Sequence, residues 1–415
     1  MAALEEHRAR RAIDDQALTI LLQFSYKRLT TLLSIRGSLA LFAGGTTMRN
    51  IVSKTCTKIA AAAIVTLSLL LGNSAFAQQY QRTNLTVDKT SISFKATLDP
   101  NLVNAWGLSR ATGSPFWISD NGTGLATLYD STGSIVPLVV TIPTANGGTP
   151  PSAPTGTVFN FTTGFNVGQG VPAVFIFVTE NGTIAAWNPT VNLNKAVKKV
   201  DHSASGAIFK GCAIAMTAAG PRLYVNNFSR GRVEVYDSTF TLVPSTGFVD
   251  AQLPPDYAPF GIQNVGGNIV VTFAHRLPGS TDEDHGPGIG YVDIFDDQGA
   301  LLLRLEHGPF MNAPWGIALA PSDFGPFSHR LLIGNFGNGR IHAFNAVSGK
   351  HVGILLNTSG NPIVIPGLWA LSFGSDAGKS GLATELFFTA GPNDESDGLF
   401  GKLTATASEQ RGNSE

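Results

Sequence analysis

Beyond residue 80, apolar and polar positions alternate in short runs separated by turn-forming residues. Residues 233–236 are typical: Val233 and Val235 alternate with Glu234 and Tyr236, the period of two that a half-buried strand requires. No segment past residue 80 sustains a 3.6-residue period over three turns, so strands are predicted throughout. The stretch FWISDNGTGLATLYD (116–130) predicts a hairpin with Asp-Asn-Gly at its tip, echoed by FVTENGTIAAWNP (177–189) and LLIGNFGNGRIHAFN (331–345). Asn-Gly tolerates positive φ and closes hairpins, so the Asn121-Gly-Thr and Asn181-Gly-Thr sequons read as turns ahead of glycan acceptors.

These hairpins belong to a longer repeat. An aromatic or small residue, a glycine and an apolar strand recur in NAWGLSR (104–110), FKGCAIAM (209–216), APFGIQNV (258–265), APWGIALA (313–320) and PGLWALSF (366–373), with a weaker copy in APTGTVFNF (153–161). The anchors at 106, 155, 210, 260, 315 and 369 lie 49 to 55 residues apart. Each anchor strand is followed by a second apolar strand with a polar tip, such as Asp120-Asn121, Glu180-Asn181 or Asn226-Asn227, and by a third strand such as VEVYDSTF. Units of this length are too long for a solenoid rung and fit propeller blades. The predicted fold is all-β, a six-bladed β-propeller. A β-sandwich is the competing architecture, but it accounts for no repeated anchor–tip–turn order. Gly107, Gly211, Gly261 and Gly316 beside the anchors suit innermost strands, where backbones crowd the channel. Ring closure would pair residues 81–87 with 398–405.

The N-terminal region breaks the pattern. Residues 48–77 carry a basic start (Arg49, Lys54, Lys58), an apolar run from Ile59 to Leu71, and the small-residue end Ala75-Phe76-Ala77. This is the layout of a secretory signal peptide cleaved after Ala77. The apolar run is too short for the roughly 20 helical residues of a membrane anchor. Residues 1–47 then read as an upstream extension absent from the mature protein, 78–405 as one propeller domain, and 406–415 as a disordered tail. Export to the periplasm or the extracellular space follows, without a membrane span in the mature form and as a monomer. Residues 78–415 carry 19 basic and 25 acidic side chains, a net charge of −6, which disfavours nucleic acid as a partner. Cys56 leaves with the signal peptide; Cys212 alone can form no internal disulfide and reads as an inert buried thiol.

The order aromatic–Gly–Ile/Leu–Ala, strand, Asn tip, then GRIHAF or GRVEVY is similar to the NHL repeat. More specifically, NLVNAWGLS, FWISDNGTG, GPGIGYVDIFD, NFGNGRIHAFN and FFTAGPNDESDGLFGKL resemble a family of uncharacterised exported bacterial propellers first noticed among proteins with PEP-CTERM sorting tails. The resemblance implies a propeller and export, and carries no established activity or catalytic residue. The tail TATASEQRGNSE lacks Pro-Glu-Pro, an apolar helix and a basic end, so it departs from the family pattern.

In such a ring the repeat brings Asn104, Asp120, Glu180, Asn226, Asn227, His275, Asn312 and Asn335 towards one rim. Carboxylates and amides without lysine can orient a polar ligand or ligate Ca²⁺; equally, Asp and Asn can simply shape six turns. Sugar-lactone hydrolases on six-bladed propellers use comparable sets around a divalent ion. Two loops exceed what a turn needs, 274–291 and 390–400, and Asp282, Asp284, Asp394 and Glu395 are the candidate metal ligands, against a reading as solvated loops. The segment GSDAGKS (374–380) is one residue short of a P-loop and falls in a hairpin, while G-x-S-x-G, H-E-x-x-H and C-x-x-C are absent from the chain. Trp106, Trp315 and Trp369 read as packing residues first and stacking platforms second. The expected function is therefore a module that binds a small molecule or a protein. The alternative is a divalent-metal-dependent hydrolase or lactonase working at the same rim.

Overall fold

The computed structural model describes residues 79–277 and 279–406, so the predicted extension, signal peptide and tail lie outside the described residues. Six antiparallel sheets of four or more strands follow one another along the chain. Blade 1 comprises Ala105–Ser109, Phe116–Asp120, Leu125–Tyr129 and Val140–Thr141. Blade 2 comprises Pro154–Phe159, Phe175–Thr179, Thr183–Trp187 and Val197–Asp201, and blade 3 Phe209–Thr217, Gly220–Asn227, Arg232–Asp237 and Leu242–Val243. Blade 4 is built from Tyr257–Val265, Asn268–Arg276, Tyr291–Phe295 and Leu301–Arg304, and blade 5 from Pro314–Leu319, Arg330–Asn335, Ile341–Asn345 and His351–Ile354. Blade 6 has Leu368–Phe373, Glu385–Ala390 and Leu399–Ala405, and is completed by the N-terminal strand Gln79–Val87. That last pairing is antiparallel, from Tyr80 opposite Ala405 to Val87 opposite Leu399, which closes the ring as expected. Every repeat anchor lies in the innermost strand of its blade.

The period of two explains why the sheets form a ring. In Glu385–Ala390, Leu386 and Phe388 pack with Leu332 and Ile341 of blade 5. Phe387 points the other way, against Phe116 and Tyr129 of blade 1. Equivalent apolar clusters join blades 1 and 2, 2 and 3, 3 and 4, and 4 and 5. Each blade is apolar on both faces, and only a neighbour on each side removes both from water.

The crowding of inner strands is direct. A Cβ placed on Gly107 would lie 2.2 Å from the Thr155 carbonyl oxygen, one on Gly261 2.1 Å from that of Trp315, and one on Gly316 2.5 Å from that of Trp369. Each of these contacts is backbone from the next blade, which cannot swing aside. Cys212 is buried in the same layer, and burial pushes its thiol up, as an inert thiol requires. Residues 374–380 form the hairpin between the first two strands of blade 6, not a phosphate loop. Among the described residues, no helix is long and apolar enough to cross a membrane.

Candidate functional site

The chain segments leading into the inner strands and the loops after the second strands meet at one mouth of the channel. At its centre is Lys210, second residue of the blade 3 inner strand and fully buried. Its Nζ donates to Glu180 Oε1 at 2.6 Å and lies 3.5 Å from Glu283 Oε2. Below the ammonium are ring faces: Trp106 at 5.0 Å, Phe228 at 5.7 Å and Phe260 at 6.0 Å from the centroids. Trp106 stacks on Trp369 at 3.6 Å, and these rings with Trp315 plug the channel. Trp315 Nε1 donates to the Lys210 carbonyl at 3.0 Å, fixing the lysine backbone from two blades away.

Around the ammonium the polar groups form a chain of hydrogen bonds. Asn121 Nδ2 donates to Glu180 Oε2 at 2.9 Å. Asn104 Nδ2 donates to Glu395 Oε2 at 2.6 Å and to Asn121 Oδ1 at 3.3 Å, and Asn104 Oδ1 accepts from Trp369 Nε1 at 2.9 Å. Asn104 adopts a left-handed φ of 48°, a conformation Asn tolerates better than most residues. Glu283 arrives on the two-residue strand Glu283–Asp284, which pairs with His275–Arg276. Alternation sends Glu283 into the channel, where it is 6% exposed, while Asp284 faces His275 Nδ1 at 3.4 Å.

Glu395 is delivered by an unusual turn. Asn393, Asp394 and Glu395 have φ of 55°, 51° and 63°, three consecutive side-chain-bearing residues in the left-handed region. Such a conformation costs roughly 1–2 kcal/mol per residue. The Glu395 N–H donates to the Gly391 carbonyl at 3.2 Å and the Asn104 N–H to the Asp397 carbonyl at 3.1 Å, so the turn is tied to blade 1.

The electrostatics follow from one ammonium among three carboxylates. Burial pulls the Lys210 ammonium down, but the charges of Glu180 and Glu283 outweigh it and hold the group above its ordinary range. Burial raises Glu283, with Lys210 opposing. Glu395 is pushed up to about 7 by burial and then by the charge of Glu283, with the Asn104 hydrogen bond and Lys210 opposing. Lys210 is therefore a fixed cation and not a nucleophile at neutral pH, whereas Glu395 can exchange a proton there. Beside Glu395 lies a recess of about 310 Å³, walled by His285, Phe336, Val364, Pro366, Asp394 and Glu395 itself. The opposite mouth is a wider hollow of about 490 Å³ near Arg110, whose guanidinium is committed to the Phe373 and Gly374 carbonyls.

Of the residues expected at the rim, Asn104 and Glu180 enter this cluster. Asp120 is fully buried within blade 1, and burial holds its carboxyl well above the carboxylate range. Asn226 and Asn227 are buried, and Asn227 donates to Glu234 Oε1 at 2.8 Å. Asn312 and Asn335 pin loops: Asn312 Oδ1 accepts from Gly286 N at 2.9 Å, and Asn335 Nδ2 donates to the Phe310 carbonyl at 2.7 Å. Of the four candidate metal ligands, Glu395 enters the cluster and Asp394 the recess. Asp282 stays in its exposed loop bonded to Ser280, and Asp284 stays with His275. Among the described residues, no group of three or more His, Cys, Asp and Glu side chains is arranged to hold a metal ion. The expectation of a rim without lysine is corrected by Lys210. The one sequence signal for it was a cation at an anchor position where four of the other five blades carry Trp or Phe. Asn121 and Glu283 were also passed over, the first as a turn residue and the second between two more exposed acids.

No family model matches the chain. The uncharacterized protein R648 of Acanthamoeba polyphaga mimivirus is 33% identical over 318 residues, covering 74% of this chain and 76% of the viral protein. The uncharacterized protein L690 of the same virus is 30% identical over 321 residues, covering 74% and 82%. Solved structures with low-level similarity include virginiamycin B lyase from Staphylococcus aureus (12% identity, TM-score 0.44, 79% of this chain and 99% of that one) and a gluconolactonase from Xanthomonas campestris (15%, 0.35, 56% and 82%). The named sequence relatives are viral, where the sequence resemblance pointed to exported bacterial proteins. By identity and coverage, the chain belongs to the family of the mimivirus proteins R648 and L690.

Proposed function

We propose that this propeller is a binding module for a small polar ligand, held in the recess beside Glu395. One observation carries the reading: a left-handed turn of Asn393, Asp394 and Glu395 places all three residues in the lining of a recess of about 310 Å³. Backbone strain of this kind persists where the surrounding structure over-determines it, and it clusters at ligand sites. The walls combine apolar surface with a few convergent polar groups, as ligand pockets do. The hydrolase reading has less support. A divalent ion among Glu180, Glu283 and Glu395 would have to displace the Lys210 ammonium, which already sits 2.6 Å from Glu180. Thermal unfolding with a panel of sugars, sugar acids and amines tests the proposal. A ligand at a hundredfold excess over Kd stabilises by about 2.7 kcal/mol. Val364 is exposed at the recess wall, so Val364→Trp should block the recess without unfolding the ring. The proposal fails if no compound raises the midpoint, or if every shift survives Val364→Trp.

We also propose that the protein is exported, on the signal-peptide pattern of residues 48–77. N-terminal sequencing of secreted protein should begin at Gln78; peptides from 1–47 joined to the propeller would refute it.

A further inference from the structure

The cluster at the channel mouth holds more negative than positive charge. Glu180, Glu283 and Glu395 share a single ammonium, Lys210, and Glu180 takes its only short contact. Glu283 is 94% buried by its 6% exposure, and its Oε2, directed towards Lys210, accepts no hydrogen bond. The adjoining recess adds Asp394, and its lining contains no lysine or arginine. Lys210 itself shows what this environment accepts: an ammonium between carboxylates and aromatic faces. The recess offers the same kinds of group, with Asp394 and Glu395 in its lining together with Phe336, Val364 and Pro366. A bare metal ion would leave the apolar wall uncovered, and an anion would meet Asp394 and Glu395.

Resting on the reading of the recess as a ligand site, we propose that its ligand is a small organic cation, a primary alkylammonium. The nitrogen sits against Glu395 and Asp394 and the carbon chain lies along Phe336, Val364 and Pro366. Binding is coupled to the ionisation of Glu395, which faces Glu283, Lys210, Glu180 and Asn104 in the channel and Asp394 and His285 in the recess. A protonated Glu395 offers the cation no charge, so affinity falls as pH drops through about 7.

Isothermal titration of the full chain with 1,4-diaminobutane, butylamine, glucose and gluconate at pH 8.0 and pH 5.5 tests this. The amines should bind at pH 8.0, at least about tenfold more weakly at pH 5.5, and at least about tenfold more weakly in Glu395→Gln. Asp394→Asn, at an exposed position, provides a second variant should Glu395→Gln fold poorly. Binding of glucose or gluconate in place of amines, lost in Val364→Trp, overturns the cation class while leaving the recess a ligand site. Amine binding that survives Glu395→Gln, Asp394→Asn and Val364→Trp overturns both, because it lies elsewhere on the acidic surface. The absence of binding by all four probes also overturns the cation proposal.

Discussion

Replacing Lys210 by methionine removes one charge and little volume from the centre of the molecule. The Nζ lies 2.6 Å from Glu180 and 3.5 Å from Glu283, and its side chain is 2% exposed. Breaking a buried pair from one side strands the other charge, at a cost of about 3–5 kcal/mol. Methionine keeps an unbranched apolar side chain beside Trp106, Phe228 and Phe260 while removing the ammonium, so the loss is electrostatic before it is steric. In a domain of this size, at about 2.1 cal/mol/K per residue, 1 kcal/mol corresponds to about 1.5 °C, so the midpoint should fall by roughly 4–8 °C at pH 8. The sign with pH is specific. In the wild type, Lys210 is raised in the folded state, so its contribution is complete below the unfolded lysine value and fades only in strong alkali. In the variant, Glu283 and Glu395, both raised by burial in the folded state, lose the opposing charge of Lys210, and protonating them restores stability as pH falls. Differential scanning calorimetry of both proteins at pH 8 and pH 5 should therefore show a gap that narrows on acidification. An unchanged midpoint at pH 8, or an equal loss at both pH values, would refute the electrostatic account.

Two further predictions concern the scaffold. His342 Nδ1 lies 3.0 Å from His351 Nε2, and burial, then the charges of His351 and Arg340, depress His342 to about 4. A depressed histidine contributes stability that is present above its unfolded value and lost as pH falls from about 6.5 towards 4, so His342→Gln should flatten that part of the stability–pH curve measured by urea unfolding. Gly261→Ala places a Cβ 2.1 Å from the Trp315 carbonyl and should destabilise by about 1–3 kcal/mol or more. Gly168→Ala, whose Cβ meets nothing within 4 Å, should not; equal midpoints for the two variants would dismiss the crowding argument.

The propeller was legible in the sequence because its causes are local and repeated. Alternation within each strand, glycine beside each anchor and a turn-forming tip recur with every blade, and two-faced apolar strands demand neighbours on both sides. Chain closure was legible too, because ring closure needs the N-terminal segment to pair with the last blade, as residues 81–87 do with the strand Leu399–Ala405. The site was legible only in part. Asn104, Glu180 and Glu395 were singled out, yet Asp120 and Asn226 were placed with them because sequence position marks a strand end without showing which way its side chain points. The sidedness of Glu283 against Asp282 and Asp284 is decided by its pairing with Arg276, a contact within a long loop that no local pattern announces. Above all, Lys210 acquires its role from residues brought together from positions 104 to 395, with Glu180 and Glu283 on either side and Trp106 beneath. A buried ammonium is stable only where several separate chain segments supply its counter-charges at once, and only the closed ring brings them to one point.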